Sequence, residues 1–117
     1  MSKIIGIGVD IIEISRVQEA VDRWGSHFLK HIFHPAEIEY AARHKFPFPH
    51  YAVRFAAKEA VFKALGNPKI SWKDLTIVNG KDGRPFCRVN PKKSKYKIHL
   101  SLSHSRNYAV ASALITS

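Results

Sequence analysis

Acidic residues and cysteine are both scarce in this chain of 117 residues. Nine Asp and Glu stand against nineteen Lys and Arg, which gives a formal net charge of +10. Such an excess favours polyanionic partners, namely nucleic acid, an acidic membrane surface, phosphorylated ligands or an acidic protein, without choosing among them. Cys87 is the only cysteine, so no intrachain disulfide can form, which fits a reducing compartment.

The sequence also lacks a long uninterrupted hydrophobic run. The apolar start, MSKIIGIGVDIIEIS, is broken by Asp10 and Glu13 and is too short to span a bilayer. We therefore expect a soluble cytoplasmic protein that does not insert into membranes. There is no internal repeat and no linker-like stretch, and the length suits one core, so residues 1–117 are predicted to form a single domain.

Hydrophobic patterning predicts an α+β fold with an N-terminal strand, about three helices and C-terminal antiparallel hairpins. The first helix is expected to start at Ser15 as N-cap, with Gln18 completing a capping box, and to bury a stripe that ends at Trp24. Two further helices are predicted, one from Pro35 that "FPFP" stops and one that ends near Gly66. The hairpins are expected at 74–89, around the turn GKDG, and at 98–115, around HSRN.

The first predicted strand, KIIGIGVDIIEI at 3–14, carries two glycines on one face. Alternation places Gly6, Gly8, Asp10 and Ile12 on that face. Because glycine weakens a strand, its repetition indicates that something approaches closely there. The segment lacks the third glycine of a dinucleotide-binding GxGxxG motif.

The predicted helix RFAAKEAVFKALG at 54–66 is nearly all apolar, yet it contains Glu59 and, four residues on, Lys63. One interpretation is an exposed ion pair, which contributes only about 0.3–0.5 kcal/mol. The other is a pair at a buried cleft that a ligand shares. Asp10 and Glu59 together are the kind of oxygen pair that holds Mg²⁺ with substrate phosphates and water.

The histidines allow two further interpretations. His27, His31 and His34 have spacings conceivable for zinc, but no cysteine or acidic partner completes the set. His104 ends a predicted strand at a tight turn with Ser105 and Arg106, which either offers donors to a phosphate or is satisfied internally. A Ser–His hydrolase would need a nucleophile elbow or an orienting acid, and neither is evident.

Three segments, GIGVDIIEI at 6–14, RFAAKEAVFKALG at 54–66 and LSLSHSRNYAVA at 100–111, together closely resemble the holo-(acyl-carrier-protein) synthase family. This family is the small bacterial type of 4′-phosphopantetheinyl transferase, and the similarity runs over almost the whole chain. The resemblance implies Mg²⁺-dependent transfer of the phosphopantetheine arm of coenzyme A to a serine of acyl carrier protein. It further implies release of adenosine 3′,5′-bisphosphate, a role in fatty acid biosynthesis, and a homotrimer with active sites at subunit interfaces.

The resemblance also implies roles for individual residues. Asp10 and Glu59 would hold the metal, Lys63 would contact the diphosphate near the leaving group, and Glu59 is a candidate proton acceptor. The implied coenzyme-binding residues are Arg54, Lys63, Gly66, Gly83, Arg84, Pro85, His104 and Ser105. Of these, His104 and Ser105 match positions that bind the 3′-phosphate, and Gly83, Arg84 and Pro85 match a turn that borders the adenine from a neighbouring subunit. Arg16 and Arg23 fall where the family's first helix meets the acidic carrier.

Two departures from the family pattern concern local structure. Gly66 precedes Asn67–Pro68 instead of a Thr-Gly or Ser-Gly pair, and proline has no N–H to offer a phosphate. His34 precedes Pro35, at the position where relatives often have a threonine as N-cap of the helix. The start of that helix is therefore left open by the sequence.

Two rival functions belong to other classes. A small nucleic-acid-binding protein would rest on the net charge and on the basic segment PKKSKYK at 91–97, but no RNA-binding signature is present. A catalytically silent carrier-binding protein would lack Asp10 or Glu59, and both are present.

Overall fold

The computed structural model describes residues 2–117, which contain five β-strands and four α-helices. In chain order these are β1 Ile4–Glu13, α1 Ile14–Trp24, α2 Ser26–Ile32, α3 Pro35–Ala42, α4 Phe48–Leu65, β2 Leu75–Asn79, β3 Pro85–Val89, β4 Lys97–His104 and β5 Tyr108–Thr116, with a 3₁₀ turn at Trp72–Asp74. Strands β1, β5 and β4 form one antiparallel sheet in that order, and β2 pairs with β3 in a second. The predicted α+β class and both hairpins are confirmed.

Helix α4 packs directly on the larger sheet because small residues line the contact. A β-carbon on Gly6 would overlap the carbonyl oxygen of Ala64, and one on Gly8 would overlap that of Ala60. The facing strand β5 contributes Ala111, which is fully buried. The predicted close approach at the two glycines is therefore the backbone of α4 itself.

An ion pair in the protein interior ties the helices to the smaller sheet. Lys58 of α4 is fully buried, and its Nζ donates to Glu37 Oε1 and to the Ile32 carbonyl, each at 2.8 Å. Glu37 Oε1 accepts from the His34 amide at 2.8 Å, and Oε2 accepts from the Ile77 amide at 3.0 Å. One pair thus joins α4, α3, the end of α2 and β2, and the Glu37 contact fixes the start of α3 that His34 had put in question.

The helix count and two local predictions differ from the sequence interpretation. Ser15 is not the N-cap, because α1 begins at Ile14, whose amide donates to the Asn107 carbonyl at 2.9 Å. An additional helix, α2, follows Gly25, whose φ of 56° breaks the chain direction after α1. Trp24 is exposed, with Arg23 5.0 Å from its ring.

The segment "FPFP" at 46–49 does not only separate helices; it also starts one. Helix α4 begins at Phe48, with Pro47 as N-cap and Pro49 in its first turn. Proline is tolerated there because the first amides of a helix have no intrahelical acceptor. Within residues 2–117, no helix has both the length and the apolar character needed to cross a membrane.

Candidate active site

Asp10 and Glu59 meet where β1 crosses α4. Asp10 lies on the face of β1 that carries Gly6 and Gly8, and Glu59 lies on α4 just before Ala60, whose carbonyl contacts Gly8. Both side chains are half-buried. Burial raises the pKa of Glu59, the Asp10 carboxylate raises it further, and the Lys63 ammonium opposes both. The two acids are therefore close enough to repel each other.

Lys63 pairs with Asp10 and not with Glu59. Its Nζ donates to Asp10 Oδ1 and to the Val9 carbonyl, each at 3.0 Å. The expected exposed Glu59–Lys63 pair is therefore absent from the ion pairs of residues 2–117. About half of the Lys63 side chain is exposed, so its ammonium is accessible to a ligand at the same place.

The two carboxylates fit a Mg²⁺ ion that is shared with a substrate. Mg²⁺ usually takes one or two protein carboxylates and completes its shell with water and phosphate oxygens. Asp10 and Glu59 could supply two oxygen ligands. Burial first, and then the Asp10 carboxylate, raise the pKa of Glu59, and a cation would relieve the repulsion between the two carboxylates. Residues 2–117 contain no group of three or more His, Cys, Asp or Glu side chains that could enclose a metal unaided.

Arg54 is a buried cation that forms no ion pair with any acid of residues 2–117. It is only 3% exposed, and its Nε has no hydrogen-bond partner in that part of the chain. Its terminal nitrogens make long contacts, 3.4 Å to the His50 carbonyl and 3.5 Å to Asn79 Oδ1. The guanidinium lies 4.2 Å from the centre of the Tyr40 ring. A buried charge is costly unless it is paired, so an anionic ligand would complete this site.

His104 and Ser105 lie at the β4–β5 turn, near Arg54. The Ser105 amide donates to the Tyr108 carbonyl at 2.8 Å, and the Tyr108 amide donates to Ser105 Oγ at 3.3 Å. The His104 ring is exposed and meets the His50 ring edge-on at 6.2 Å. His50 in turn lies one turn before Arg54 on α4, so the structure brings His104 and Arg54 to one region.

The other sequence-predicted residues lie apart from the two carboxylates. Gly83, Arg84 and Pro85 form the β2–β3 turn, where Gly83 has φ 84° and the exposed Arg84 pairs with Asp82 at 3.5 Å. Arg16 and Arg23 are exposed on α1. No hydrogen bond described within residues 2–117 links any of these five to Asp10, Glu59 or Lys63.

Gly66 ends α4 in the left-handed conformation that favours glycine, with φ 61°. Its amide donates to the Phe62 carbonyl at 2.9 Å. The following Asn67 accepts the Lys69 amide on its side chain at 3.0 Å. The loop after α4 therefore satisfies its own amides, which agrees with the departure from the family pattern at Asn67–Pro68.

Four residues of this region were not predicted from the sequence: Tyr40, His44, His50 and Asn79. Tyr40 contacts the Arg54 guanidinium, and its hydroxyl accepts from Asn79 Nδ2 at 2.9 Å. The only sequence signal was that His50 precedes Arg54 by four residues, which places both on one side of a helix. The histidines considered for zinc, His27 and His31, are exposed on α2 and join no metal-binding group among residues 2–117.

Fold and site together define a class of enzyme. The family model described as "4′-phosphopantetheinyl transferase superfamily" matches residues 6–113, and the chain belongs to this superfamily. Its curated relatives are holo-(acyl-carrier-protein) synthases. That of Thermodesulfovibrio yellowstonii is 44% identical over 95% of this chain and 97% of its own, and that of Protochlamydia amoebophila is 42% identical over 97% and 98%.

Solved structures of the same family share the fold. A holo-(acyl-carrier-protein) synthase from Bacillus anthracis in complex with CoA (3′,5′-ADP) superposes with a TM-score of 0.86 at 34% identity, covering 97% of both chains. The Helicobacter pylori synthase in complex with coenzyme A has a TM-score of 0.84 at 29% identity, covering 93% of this chain and 98% of its own. The recognition made from three sequence segments is confirmed.

Proposed function

We propose that this chain transfers the 4′-phosphopantetheine group of coenzyme A to a serine of apo acyl carrier protein, in the cytoplasm and in support of fatty acid biosynthesis. The observation that carries the proposal is the meeting of Asp10 and Glu59, with Lys63 on Asp10, at the crossing of β1 and α4. The names of the matched relatives and their coenzyme A complexes support the choice of substrate.

The reaction exchanges one phosphorus–oxygen bond for another. The carrier serine Oγ attacks the phosphorus that bears the pantetheine, and the bond from that phosphorus to the nucleotide phosphate breaks, releasing adenosine 3′,5′-bisphosphate. A Mg²⁺ ion held by Asp10 and Glu59 would neutralise charge on the diphosphate. Glu59 accepts the serine proton, directly or through water, because its half-buried carboxylate lies beside the metal site.

The cations around the two carboxylates bind the charged parts of the coenzyme. Lys63 reaches the diphosphate on the leaving-group side, since half of its side chain is exposed beside Asp10. Arg54, buried without an acidic partner, and the exposed His104 and Ser105 bind the 3′-phosphate. Gly66 lies at the coenzyme site as the end of α4.

A neighbouring subunit completes the site in this proposal. Gly83, Arg84 and Pro85 border the adenine from the adjacent protomer of a homotrimer, since they lie on the separate β2–β3 hairpin. The outer face of β1 supports such an assembly, because Ile7, Val9 and Ile11 are each at least 60% exposed. An apolar face of this kind on a sheet is typical of a protein interface.

The carrier protein approaches along α1. Arg16 and Arg23 are exposed there and offer positive charge to an acidic helix of the carrier. The net charge of +10 steers both the carrier and the anionic coenzyme toward the enzyme.

The test is incubation of the chain with coenzyme A, Mg²⁺ and apo acyl carrier protein, followed by mass spectrometry of the carrier. We expect a phosphopantetheine adduct on one serine, formed with Mg²⁺ and not in excess chelator. An apo carrier with that serine replaced by alanine is the control. The absence of an adduct on every apo carrier tried would contradict the proposal.

A further inference from the structure

Three histidine rings from three parts of the chain lie together next to Arg54. His44, in the connection between α3 and α4, stacks on His50 of α4 with ring centres 3.6 Å apart. His50 meets His104 of β4 at 6.2 Å. The Tyr40 ring of α3 contacts the rings of His44 and His50, with ring centres 4.9 Å and 5.8 Å apart, respectively. We call His44, His50 and His104 the histidine cluster.

The charged or titratable groups that act on His50, within residues 2–117, are all bases. His44 and His104 face His50 from outside its helix, and Arg54 faces it from one turn along α4. Arg43 of the same connection as His44 lies 5.7 Å from the Tyr40 ring. The Arg54 guanidinium lies closer, 4.2 Å from the same ring. No carboxylate acts on His50 within residues 2–117, so a protonated His50 would have no internal counter-charge.

His50 is at the centre of this charge. Burial first, and then His44, Arg54 and His104, lower the pKa of His50 from 6.5 to about 4. The ligand-free protein therefore keeps His50 neutral at pH 6–8, which limits repulsion within the cluster. An anion bound beside His50 would raise its pKa again, because a nearby negative charge favours the protonated imidazole.

We infer that His50 is a specificity-determining residue whose protonation is coupled to the binding of a phosphate monoester next to Arg54 and His104. This inference rests on the proposed function, in which that monoester is the 3′-phosphate of coenzyme A. His44 supports His50 by stacking on its ring, which adds a second imidazole beside it. The consequence is that preference for the 3′-phosphorylated nucleotide over its unphosphorylated form increases as pH falls from 8 to 6.

The protons balance in a simple way. Binding at pH 8 leaves His50 neutral, and binding at pH 6 takes up a fraction of one proton from solvent onto its free ring nitrogen. By linkage, a ligand that raises the pKa of one group binds more tightly at pH values at which that group is protonated in the bound protein but not in the free protein. If the bound anion returned the pKa of His50 from about 4 to near its ordinary value of 6.5, affinity would rise about three- to fourfold between pH 8 and pH 6.

The experiment is calorimetric titration with adenosine 3′,5′-bisphosphate and with adenosine 5′-monophosphate, in the presence of Mg²⁺, at pH 6 and pH 8. Two buffers of different ionisation enthalpy at each pH give the number of protons taken up. The phosphate itself titrates near pH 6, but equally in all variants, so the difference between variants isolates His50.

Three proteins are compared: the natural chain, His50→Gln, and His27→Gln as a matched control, because His27 is exposed on α2 away from the cluster. Beyond the contribution of the phosphate's own titration, we expect the natural chain and His27→Gln to take up protons with the bisphosphate at pH 6 and to show the threefold gain in its affinity relative to the monophosphate. We expect His50→Gln to lose both. Equal proton uptake in all three would overturn the inference.

A measurement on the natural chain covers the case in which His50→Gln does not fold. Nuclear magnetic resonance of its imidazoles should show the His50 signals titrating at higher pH once the bisphosphate is bound. Unchanged titration of a saturated protein would overturn the inference. The outcomes also separate the two proposals: a chain that makes no holo carrier contradicts the proposed function, whereas an active chain without proton uptake at His50 contradicts only this inference.

Discussion

Glu59 differs from an ordinary surface carboxylate because it is half-buried and has a second acid as neighbour. Its pKa is raised, first by burial and then by Asp10. In the protein without ligand this arrangement is unfavourable, since two desolvated carboxylates repel each other. Such a pair at a surface cleft is typical of a site that uses the charge on a bound cation or substrate.

The first prediction is that Glu59→Gln and Asp10→Asn each abolish transfer without loss of folding. We expect a fall in kcat/KM of at least about a hundredfold, because each change removes a group that acts on the transition state. The measurement is holo carrier formed per unit time, with unfolding in urea as the check on folding. Glu39→Gln, an exposed acid on α3, is the control. Near-normal transfer by either site variant with Mg²⁺ would refute the ligand assignment.

The second prediction concerns pH and Mg²⁺ together. The pKa of the Glu59 carboxyl is raised in the folded state, so its protonation contributes to the stability of the fold at pH values below the unfolded pKa. This contribution to stability is lost as pH rises through the folded pKa. Mg²⁺ binds the ionised form, so we expect it to raise Tm at pH 7 more than at pH 4.5. Glu59→Gln should remove most of the difference. The measurement is a thermal unfolding series with Mg²⁺ and with chelator. An equal effect of Mg²⁺ on both proteins would contradict it.

At this scale the sequence indicates which residues carry charge but not how they pair. Strand alternation predicted that Asp10 lies on the same face of the strand as Gly6 and Gly8, and the helical period predicted that Glu59 and Lys63 share one side of the helix. They did not predict that Lys63 would reach Asp10, because the choice between two acids depends on the crossing of β1 over α4. The burial of Arg54 depends likewise on Tyr40 and Asn79, which come from distant elements.

The contact between α4 and β1 is the element-scale feature that positions the site. Gly6 and Gly8 allow the helix backbone to touch the strand, with Ala60 and Ala64 on the other side. The separation of Asp10 and Glu59 is set by this contact, since one residue lies on each element.

The third prediction is that Gly8→Ala destabilises the protein by about 1–3 kcal/mol, the usual cost of overpacking. The added β-carbon meets the Ala60 carbonyl, which is helix backbone and cannot move aside alone. Transfer should fall as well, because α4 must shift away from β1. Gly80→Ala is the control: its β-carbon would meet only ordinary contacts, at 3.4 Å or more. The measurement is urea unfolding with kinetics on the same samples, and equal stability of the two variants would contradict the argument.

The fourth prediction concerns the buried pair of Lys58 and Glu37. Lys58→Met leaves a buried carboxylate without its cation, so we expect a loss of about 3–5 kcal/mol. Adding Glu37→Gln should recover part of this loss, because the uncompensated charge is removed. The measurement is a double-mutant cycle of unfolding free energies. If the double variant loses as much stability as the two single variants combined, or more, the pair is not the reason for the loss.

Elements with strong periodicity were predicted well, and short ones were not. Strand β1, the end of helix α4 and both hairpins lie within a few residues of their predicted bounds, since apolar pattern and turn residues agree there. Helix α4 begins at Phe48, earlier than the predicted stretch 54–66, because the prolines of FPFP fit at its N-cap and in its first turn. Helix α2 was missed because Ser26–Ile32 is too short to show a period and follows Gly25 without a linker. The start of α1 was misplaced because the Asn107 carbonyl, distant in sequence, receives the Ile14 amide in place of a side-chain cap.

For the whole molecule, one face of the larger sheet is covered by α4 and the other carries exposed apolar residues. On β1 these include Ile7, Val9 and Ile11. The site faces the covered side through Asp10, whereas the turn at Gly83–Pro85 lies on the separate β2–β3 hairpin. An assembly through the exposed face would remove these apolar side chains from water.

The fifth prediction follows from this face. We expect the natural chain to sediment at about three times its monomer mass of 13.3 kDa, as the proposed homotrimer requires. The Ile7 side chain is 75% exposed in the single chain. Ile7→Glu should release monomers, because it would place a charge in the core of the proposed interface. Transfer should fall when the assembly is lost, since each proposed site then lacks the turn at 83–85 of its neighbour.

Phe46→Glu is the matched control, because Phe46 is an exposed aromatic residue outside the sheet. Sedimentation equilibrium and transfer kinetics are measured on the same preparations. A natural chain that sediments as a monomer while retaining full activity would show that the sites are complete within one subunit.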